Sequence, residues 1–523
     1  MTDAARPEVV PDQAPDADMA TLARGGRLNV FGFVLRLAAR LPFLFIAGRI
    51  YGAESLGRFA YAVLTVEFAA QIAALGLRRG LAQLLADAKK PEACIIADAM
   101  LVAAIGSAVG MAILFAFPKA MYPTTQIHGM DRMLAITVLA ISWTDIALAA
   151  LAYHHDVGAT VRARSIVEPW TISIVAFGWS YVSLRDGLIV AYVCSMVAAL
   201  FASLIPLVRC YGIPHGWKPD LPHAGGTALR NVPVAAADAV EWASRRIDLA
   251  VLGAFMPAYF VGIYYAAQQV ATLPAKLKSS FEPVLGPAIT RRLAVNDRAG
   301  VAKQVRQVTY WIIAAQIGIA LSLGIPGRAV MALVGSGFTG GTATLGFLLA
   351  AEVIASVAVV SEAALIFVAR TRNMVISIIM LAIEAGLAVA LILIMKDRGL
   401  PPSFQATGPA IGLCVALGFA SIAKSRLLSR ELGAPVSGWR WDLVWATAAG
   451  AVVGAGVRYL LPQELHLAVG IPAILAAFGA VLWTKGFTSE DRALFRMRKQ
   501  DVKDLREAEE DALARDQVET EVV

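Results

Sequence analysis

The feature that most constrains this chain is a series of apolar stretches, each about as long as a bilayer is thick. A transmembrane helix needs about 20 mostly apolar residues, and stretches of that length recur from residue 28 to residue 485. The chain is 58% hydrophobic and 16% charged, with a mean hydropathy of +0.65. Soluble proteins are about 45–50% apolar and about 25% charged. The sequence therefore predicts an all-α polytopic membrane protein.

The apolar stretches predict about fourteen transmembrane helices. We expect two pseudo-symmetric six-helix lobes, two C-terminal helices and a central cavity between the lobes. The predicted organisation is a disordered cytoplasmic tail at 1–23, an N-lobe at 24–210, a cytoplasmic linker at 211–228, a C-lobe at 229–430, two helices at 431–486 and a charged cytoplasmic tail at 487–523.

Lysine and arginine are distributed unevenly between alternate loops. If the N-terminus is cytoplasmic, the predicted cytoplasmic loops hold more than twice as many of them as the opposite loops. Cytoplasmic loops of membrane proteins carry this excess. The sequence therefore predicts that both termini are cytoplasmic. The same distribution explains the net charge of +7 without a nucleic-acid partner.

An internal repeat supports the two lobes. Residues 46–62 read IAGRIYGAESLGRFAYA and residues 251–267 read VLGAFMPAYFVGIYYAA, at a constant offset of 205. The aligned pairs are Gly48 and Gly253, Ala53 and Ala258, Gly57 and Gly262, Phe59 and Tyr264, and Ala62 and Ala267. Because each unit contains an even number of helices, both copies cross the membrane in the same orientation. The repeat therefore predicts a pseudo-twofold axis along the membrane normal, as in some transporters.

Two arginines lie inside the first apolar stretch, Leu28–Ile50. Arg36 and Arg40 are four residues apart, so they share one face of a helix. Each costs about 2.5–3.5 kcal/mol in a hydrocarbon core. Water, neighbouring helices or an anionic substrate must therefore cover this face. A guanidinium group can hold the oxygens of a diphosphate in bidentate fashion.

The seventh predicted helix carries a second set of charges. Asp238, Glu241, Arg245 and Asp248 form one stripe, and Arg246 lies beside it. One interpretation is that this stripe faces the first helix across the cavity and binds substrate. The other interpretation is an internal ladder of ion pairs, Glu241–Arg245–Asp248, that allows the helix to insert.

Further ionisable residues fall within predicted spans, where such residues are candidates for function or for structural pairing. They are candidates either for coupling to a proton or cation or for buried pairing: Glu67, Asp145, Asp248, Glu352 and Glu384. The four cysteines form no CxxC pair, and the six histidines do not form a metal-binding pattern. The sequence predicts no metal, no cofactor and no catalytic residues, so we do not expect an enzyme.

The turn after the first span carries a resemblance to a known family. The segments RIYGAESLGRFAYAVLTVEF and ALGLRRGLAQLLA resemble the polysaccharide-export flippases of the MOP superfamily, the Wzx-type O-antigen and oligosaccharide-lipid flippases. This resemblance implies alternating access and a monomer in the bacterial inner membrane. It implies that the cargo is an undecaprenyl-diphosphate-linked oligosaccharide, and that the other partners are membrane lipids and glycan-assembly proteins.

Two alternatives remain open. A multidrug/cation antiporter of the same superfamily would favour an acidic cavity, whereas the first helix here is basic. A membrane-embedded glycan polymerase or ligase would usually need a large periplasmic loop with catalytic residues, and the predicted outer loops are short. The flippase is therefore the preferred hypothesis.

Overall fold

The computed structural model describes most of the membrane-spanning part of the chain. The described residues are 41–86, 90–154, 156–219, 221–279, 289, 292–293 and 297–487. All of the regular secondary structure within these ranges is helical. This result confirms the all-α prediction.

The first half of the structure, residues 41–211, is built from six main helices. They are α1 (Gly52–Ala73), α2 (Leu77–Ala86), α3 (Glu92–Ala116), α4 (Thr137–Tyr153), α5 (Glu168–Trp179) and α6 (Gly187–Tyr211). Short helical segments adjoin them at Ala47–Tyr51, Pro118–Ala120, Gly129–Ile136, Val157–Thr160 and Val161–Val167.

The second half, residues 221–487, contains the remaining helices. They are α7 (Leu221–Ala243), α8 (Ile247–Phe255), α9 (Ala258–Ser279), α10 (Arg298–Gly324), α11 (Gly327–Val334), α12 (Thr342–Val368), α13 (Arg370–Asp397), α14 (Gly408–Leu432), α15 (Trp441–Leu460) and α16 (Ile471–Val481). Shorter segments lie at Ser336–Gly341, Pro402–Gln405, His466–Gly470 and Leu482–Gly486.

Ten helical segments of the described chain are long and apolar enough to cross a membrane. The stretches predicted near 161–182, 229–255 and 258–280 are also helical, but they are interrupted, charged or more polar. Most of the first predicted span lies outside the described residues. The structure confirms a multi-pass helical protein, whereas the count of fourteen stays a prediction.

Two helices are interrupted where the halves meet. Between α1 and α2, Leu75 and Gly76 adopt φ values of 47° and 68°. A positive φ is uncommon for a residue other than glycine, so Leu75 marks a fixed bend. Between α7 and α8, three residues, 244–246, form a turn. The helix predicted as one span of the second half is therefore two helices, and it begins at Leu221 rather than at 229.

The last two helices pack on the outside of the second half. Phe478 of α16 and Ala446 of α15 join Tyr310 and Ile313 of α10 in one apolar cluster. The guanidinium of Arg440, just before α15, lies 4.1 Å from the centre of the Tyr310 ring. These contacts fix α15 and α16 to α10.

Candidate functional site

At one end of α1, the two halves meet backbone to backbone. A Cβ atom added to Gly57 would lie 2.5 Å from the Gly262 amide nitrogen and would overlap the carbonyl oxygen of Ala258. A Cβ atom on Gly262 would overlap the carbonyl oxygen of Ala53 in the same way. These are pairs that the offset of 205 aligns, and their contacts are reciprocal. We call this the glycine contact.

At the other end, α2 lies against α7. Arg79 Nε is 3.0 Å from Asp238 Oδ1, and the Arg79 guanidinium also pairs with Glu241. A Cβ atom on Gly76 would lie 2.7 Å from the Ala235 nitrogen, so the backbones approach closely here as well. Asp238 is buried, whereas Arg79 and Glu241 are about half exposed. We call this the arginine contact.

Between these two contacts lies an ion pair that joins the halves. Arg246 Nη2 is 3.3 Å from Glu67 Oε2 on α1, and the Tyr192 hydroxyl donates to Glu67 Oε1 over 3.4 Å. At a rise of 1.5 Å per residue, Glu67 is about 15 Å along the chain from Gly57 and about 18 Å from Arg79. The Glu67–Arg246 pair therefore lies between the glycine contact and the arginine contact.

Next to this pair, α8 and α13 bring two acids together. Asp248 is buried and accepts hydrogen bonds from the Tyr264 hydroxyl at 2.6 Å, Gln268 Nε2 at 3.1 Å and the Leu249 amide at 2.7 Å. Glu384 on α13 is 1% exposed, and neither of its carboxyl oxygens has a hydrogen-bond partner among the described residues. Helix α8 packs on α13, and the two carboxyl groups are near enough for their charges to interact.

The first half contains its own buried ionic group. Arg164 pairs with Asp145 and, at 2.9 Å, with Glu168. Asp145 therefore has a partner within its own half. Glu352 lies partly buried on α12 and takes part in an interaction there.

The structure divides the stripe predicted on the seventh helix. Arg245 is exposed and pairs with Glu241 at 3.1 Å. Asp248 lies beyond the break in the helix and bonds to Tyr264, so the predicted ladder Glu241–Arg245–Asp248 is wrong beyond its first pair. Arg246, rather than Arg245, contacts α1 of the other half. Arg36 and Arg40 lie outside the described residues.

Sequence reasoning missed two residues of this site. Arg79 belongs to the LGLRRG segment, where its charge was assigned to topology, yet it pairs with two acids of the other half. Tyr192 carries no charge and has no distinctive spacing. No signal in the sequence distinguishes Arg79 from the adjacent Arg78, which forms no ion pair among the described residues.

Among the described residues, the buried and partly buried ionisable groups around these contacts are mostly acidic. Asp248 and Glu384 are buried, and the partly buried groups are Glu67, Asp145, Glu168, Arg164 and Arg246. An unpaired buried charge is strongly unfavourable. This arrangement can therefore take up protons or a cation, and it can bind an anion when Arg246 separates from Glu67.

Comparison with known proteins assigns the sequence to a family. Residues 46–324, more than half of the chain, match the family described as "Polysaccharide biosynthesis protein". No curated protein matches the sequence at a significant level. The family match confirms the resemblance carried by the segments RIYGAESLGRF and LGLRRG.

Solved structures of membrane transporters share the fold. "Lipid II flippase MurJ, inward closed conformation" superposes with a TM-score of 0.65 at 11% identity, covering 89% of this chain and 99% of that chain. The inward-facing conformation of "a multidrug resistance MATE family transporter of the MOP superfamily" gives a TM-score of 0.59 at 12% identity, covering 80% and 94%. An outward-facing conformation of such a transporter gives 0.52 at 12% identity, covering 80% and 96%.

At these identities the superpositions show the fold alone, and the family match supplies the assignment. The chain is a multi-pass membrane protein that belongs to the polysaccharide biosynthesis protein family and has the fold of MOP-superfamily transporters.

Proposed function

We propose that this protein flips an undecaprenyl-diphosphate-linked oligosaccharide from the cytoplasmic to the periplasmic leaflet of a bacterial inner membrane. The product serves cell-surface polysaccharide biosynthesis, such as that of O-antigen or exopolysaccharide. Membership of the polysaccharide biosynthesis family supports the pathway. A fold shared with a lipid II flippase supports the type of transport, and the loop charges support cytoplasmic termini.

The observation that carries the proposal is the Glu67–Arg246 pair between the halves. Its guanidinium lies between the glycine contact and the arginine contact, beside a carboxylate that the opposite half supplies. A diphosphate that enters between the halves can take the place of Glu67 and bind Arg246 through two oxygens. Binding of substrate would then break one contact between the halves, as alternating access requires.

Arg36 and Arg40 complete the proposed anion site. At the offset of 205, Arg36 corresponds to Glu241 and Arg40 to Arg245. We propose on this sequence correspondence that Arg36 and Arg40 bind the same anion. Asp238 and Glu241, which bind Arg79 in the closed arrangement, then become available to other cations or to the glycan.

Asp248 and Glu384 are the proposed coupling site. Two buried carboxylates without a cation between them would repel each other, so uptake of a proton or of a metal cation stabilises the arrangement. Asp248 directly follows the turn that contains Arg246, so a change in its charge can alter the position of Arg246. The membrane potential adds about 2.3 kcal/mol per charge per 100 mV.

A cation antiporter is the second candidate function. The excess of carboxylates around Glu67, Asp248 and Glu384 favours it, because an acidic site binds cationic drugs. The MATE-like superposition is compatible with both candidates.

Transport in proteoliposomes distinguishes the two candidates. One assay follows the exposure of a fluorescent undecaprenyl-diphosphate oligosaccharide to a membrane-impermeant glycan-cleaving enzyme. The other follows the efflux of a cationic dye driven by a proton or sodium gradient. We expect flipping of the lipid without dye efflux. Dye efflux without flipping would overturn the proposal in favour of the antiporter.

The adjacent arginines provide a matched pair of variants. We expect Arg246→Ala to lower lipid flipping at least about tenfold, because loss of a charge-assisted contact costs about 1.5–3 kcal/mol. Arg245→Ala removes the same charge from an exposed position and should change the rate less than about twofold. Equal effects of the two substitutions would show that Arg246 has no special role. Arg36→Ala/Arg40→Ala tests the rest of the proposed site in the same assay.

The coupling site has a separate test. Glu384→Gln keeps the shape of the side chain and removes its charge. We expect flipping driven by a proton or sodium gradient to lose its dependence on that gradient, while flipping without a gradient persists. If the variant responds to both gradients as the parent does, Glu384 is a structural residue.

A further inference from the structure

A groove on the outer side of the second half is lined by residues that are distant in sequence from the proposed substrate site. It runs between the first turns of α13 and the last turns of α14 and has a volume of about 540 Å³. Its polar lining residues are Thr371, Arg372, Arg426 and Arg430. Its floor is apolar and includes Ala423 and Leu427.

The rim of this groove is strongly basic. Arg426 and Arg430 are exposed, are one helical turn apart and have no ion pair among the described residues. Arg372 faces them from α13, and its Nη1 is 2.6 Å from Glu431 Oε1. Arg372 is therefore the one of the three arginines with an acidic partner among the described residues, which leaves a net positive rim.

Helix α13 adds further donors to the same rim. Its first turn contains Thr371, whose hydroxyl can donate a hydrogen bond. The positive end of the helix dipole lies at this turn, where negative charge is favourable. The groove thus offers charge, hydroxyl and helix-end contributions to one anionic group.

An exposed apolar track leads away from the rim along both helices. On α13 it continues through Val375, Ile378 and Ile379, and on α14 through Ile422 and Phe419, all of them exposed. Only 22% of the spanning part of α13 is buried inside the protein. In a membrane, this track faces hydrocarbon, whereas the arginines lie at the ends of their helices.

We infer that this groove binds an anionic phospholipid of the surrounding bilayer. The phosphodiester lies between Arg372, Arg426 and Arg430, and one acyl chain follows the apolar track. Basic pockets between transmembrane helices bind the head groups of anionic lipids in this way. The inference does not rest on the proposed cargo, because no residue of the Glu67–Arg246 or Asp248–Glu384 sites takes part.

Native mass spectrometry of the purified full-length protein tests the inference. Phosphatidylglycerol or phosphatidylcholine is added in detergent, and glycerol 3-phosphate serves as a soluble competitor. We expect the parent to bind phosphatidylglycerol at least about tenfold more tightly than phosphatidylcholine, since each arginine near the head group favours the anion. Glycerol 3-phosphate should compete poorly, because it lacks the acyl chain.

Two variants in the groove test the contributions of the head group and of the acyl chain separately. Arg426→Gln/Arg430→Gln should weaken the tightest phosphatidylglycerol binding about 30-fold. Ala423→Trp fills the apolar floor and keeps the arginines, so it should weaken lipid binding by about tenfold or more. The control Arg209→Gln/Lys218→Gln removes two exposed basic residues elsewhere and should leave binding unchanged.

Three results would overturn the inference. One is unchanged phosphatidylglycerol binding in the Arg426/Arg430 variant, and another is an equal loss in the control variant. The third is competition by glycerol 3-phosphate at concentrations similar to those of the lipid, which would identify the ligand as free phosphate. Flipping assays do not enter this test, so its failure and that of the proposed flippase function can be told apart.

Discussion

The two ends of the contact between the halves are built in different ways. The glycine contact uses Gly57 and Gly262, and the atoms that meet there belong to the backbone. The arginine contact also brings backbones together at Gly76, but it adds the charges of Arg79, Asp238 and Glu241. Among the described residues, a hydrogen bond from Arg49 to the Leu333 carbonyl is the charged contact near the first end, whereas ion pairs reinforce the close packing at the other end.

This difference determines what can open each end. A backbone contact in an apolar layer is lost only when the helices separate, and nothing in solution competes for it. Partly exposed ion pairs can exchange with water, salt or a charged substrate. We therefore expect a charged ligand to act first at the arginine contact and at the Glu67–Arg246 pair.

The largest effect should come from filling the glycine contact. In Gly57→Ala/Gly262→Ala, each new methyl group would overlap a carbonyl oxygen, so α1 and α9 must move apart. Overpacking of this kind costs about 1–3 kcal/mol per site. Each site would therefore shift the equilibrium between the closed and open states by about 5- to 150-fold. We expect glycan export in a deletion strain to be lost while the protein remains at normal abundance.

Two other helical glycines serve as the control for this variant. A Cβ atom on Gly346 of α12 or on Gly418 of α14 would meet nothing within 4 Å. Gly346→Ala/Gly418→Ala should export normally, because alanine favours a helix over glycine. Normal export by the Gly57/Gly262 variant would show that the close approach is not needed for transport.

A smaller effect should come from reversing the charge at the other end. Arg79→Glu places a third acid beside Asp238 and Glu241, and Asp238 is buried. We expect the free energy of opening at this end to fall by about 1–3 kcal/mol, a value between those for exposed and buried ion pairs. The measurement is thiol labelling of Ala235→Cys, next to Gly76, in a variant whose four natural cysteines are replaced by alanine.

The neighbouring arginine and a charge swap refine this prediction. Arg78 is exposed and forms no ion pair among the described residues, so Arg78→Glu should raise labelling much less. Arg79→Glu/Glu241→Arg restores one pair of opposite charges and should recover part of the closed population. Equal labelling in the Arg78 and Arg79 variants would indicate a general charge effect rather than a specific contact.

The glycine contact could be anticipated from the sequence, and the arginine contact could not. The offset of 205 aligned Ala53 with Ala258 and Gly57 with Gly262, and residues near a twofold axis meet their own counterparts. Multi-pass helical architecture also followed from the apolar stretches, because each span must satisfy its backbone within a helix.

The partners of Arg79 depend on features that local sequence does not encode. Helical spacing reveals pairs within one helix, such as Glu241 and Arg245. It does not reveal that Leu75 adopts a positive φ, or that this bend directs α2 onto α7. The break before Ile247, unlike the bend at Gly76, contains neither glycine nor proline, and it moves Asp248 away from the predicted ladder.

The smallest expected effect is that of salt concentration. It distinguishes the two contacts without any substitution beyond the labelling cysteine and the replacement of the natural cysteines. The screening length falls from about 10 Å at 0.1 M salt to about 3 Å at 1 M. Arg79 and Glu241 are 47% and 44% exposed in their side chains, so salt reaches their ion pair. Exposed pairs contribute about 0.2–1 kcal/mol, and labelling of Ala235→Cys should therefore rise by about 1.4- to fivefold between these concentrations. Adding Arg79→Gln should abolish this salt dependence, because the charge that salt screens is then gone. A cysteine introduced beside the glycine contact, at Ala258, should be labelled equally at both concentrations, since no ion pair joins the halves there among the described residues. If salt exposes both cysteines equally, the halves separate as one rigid unit, and the charges at the arginine contact do not control opening separately.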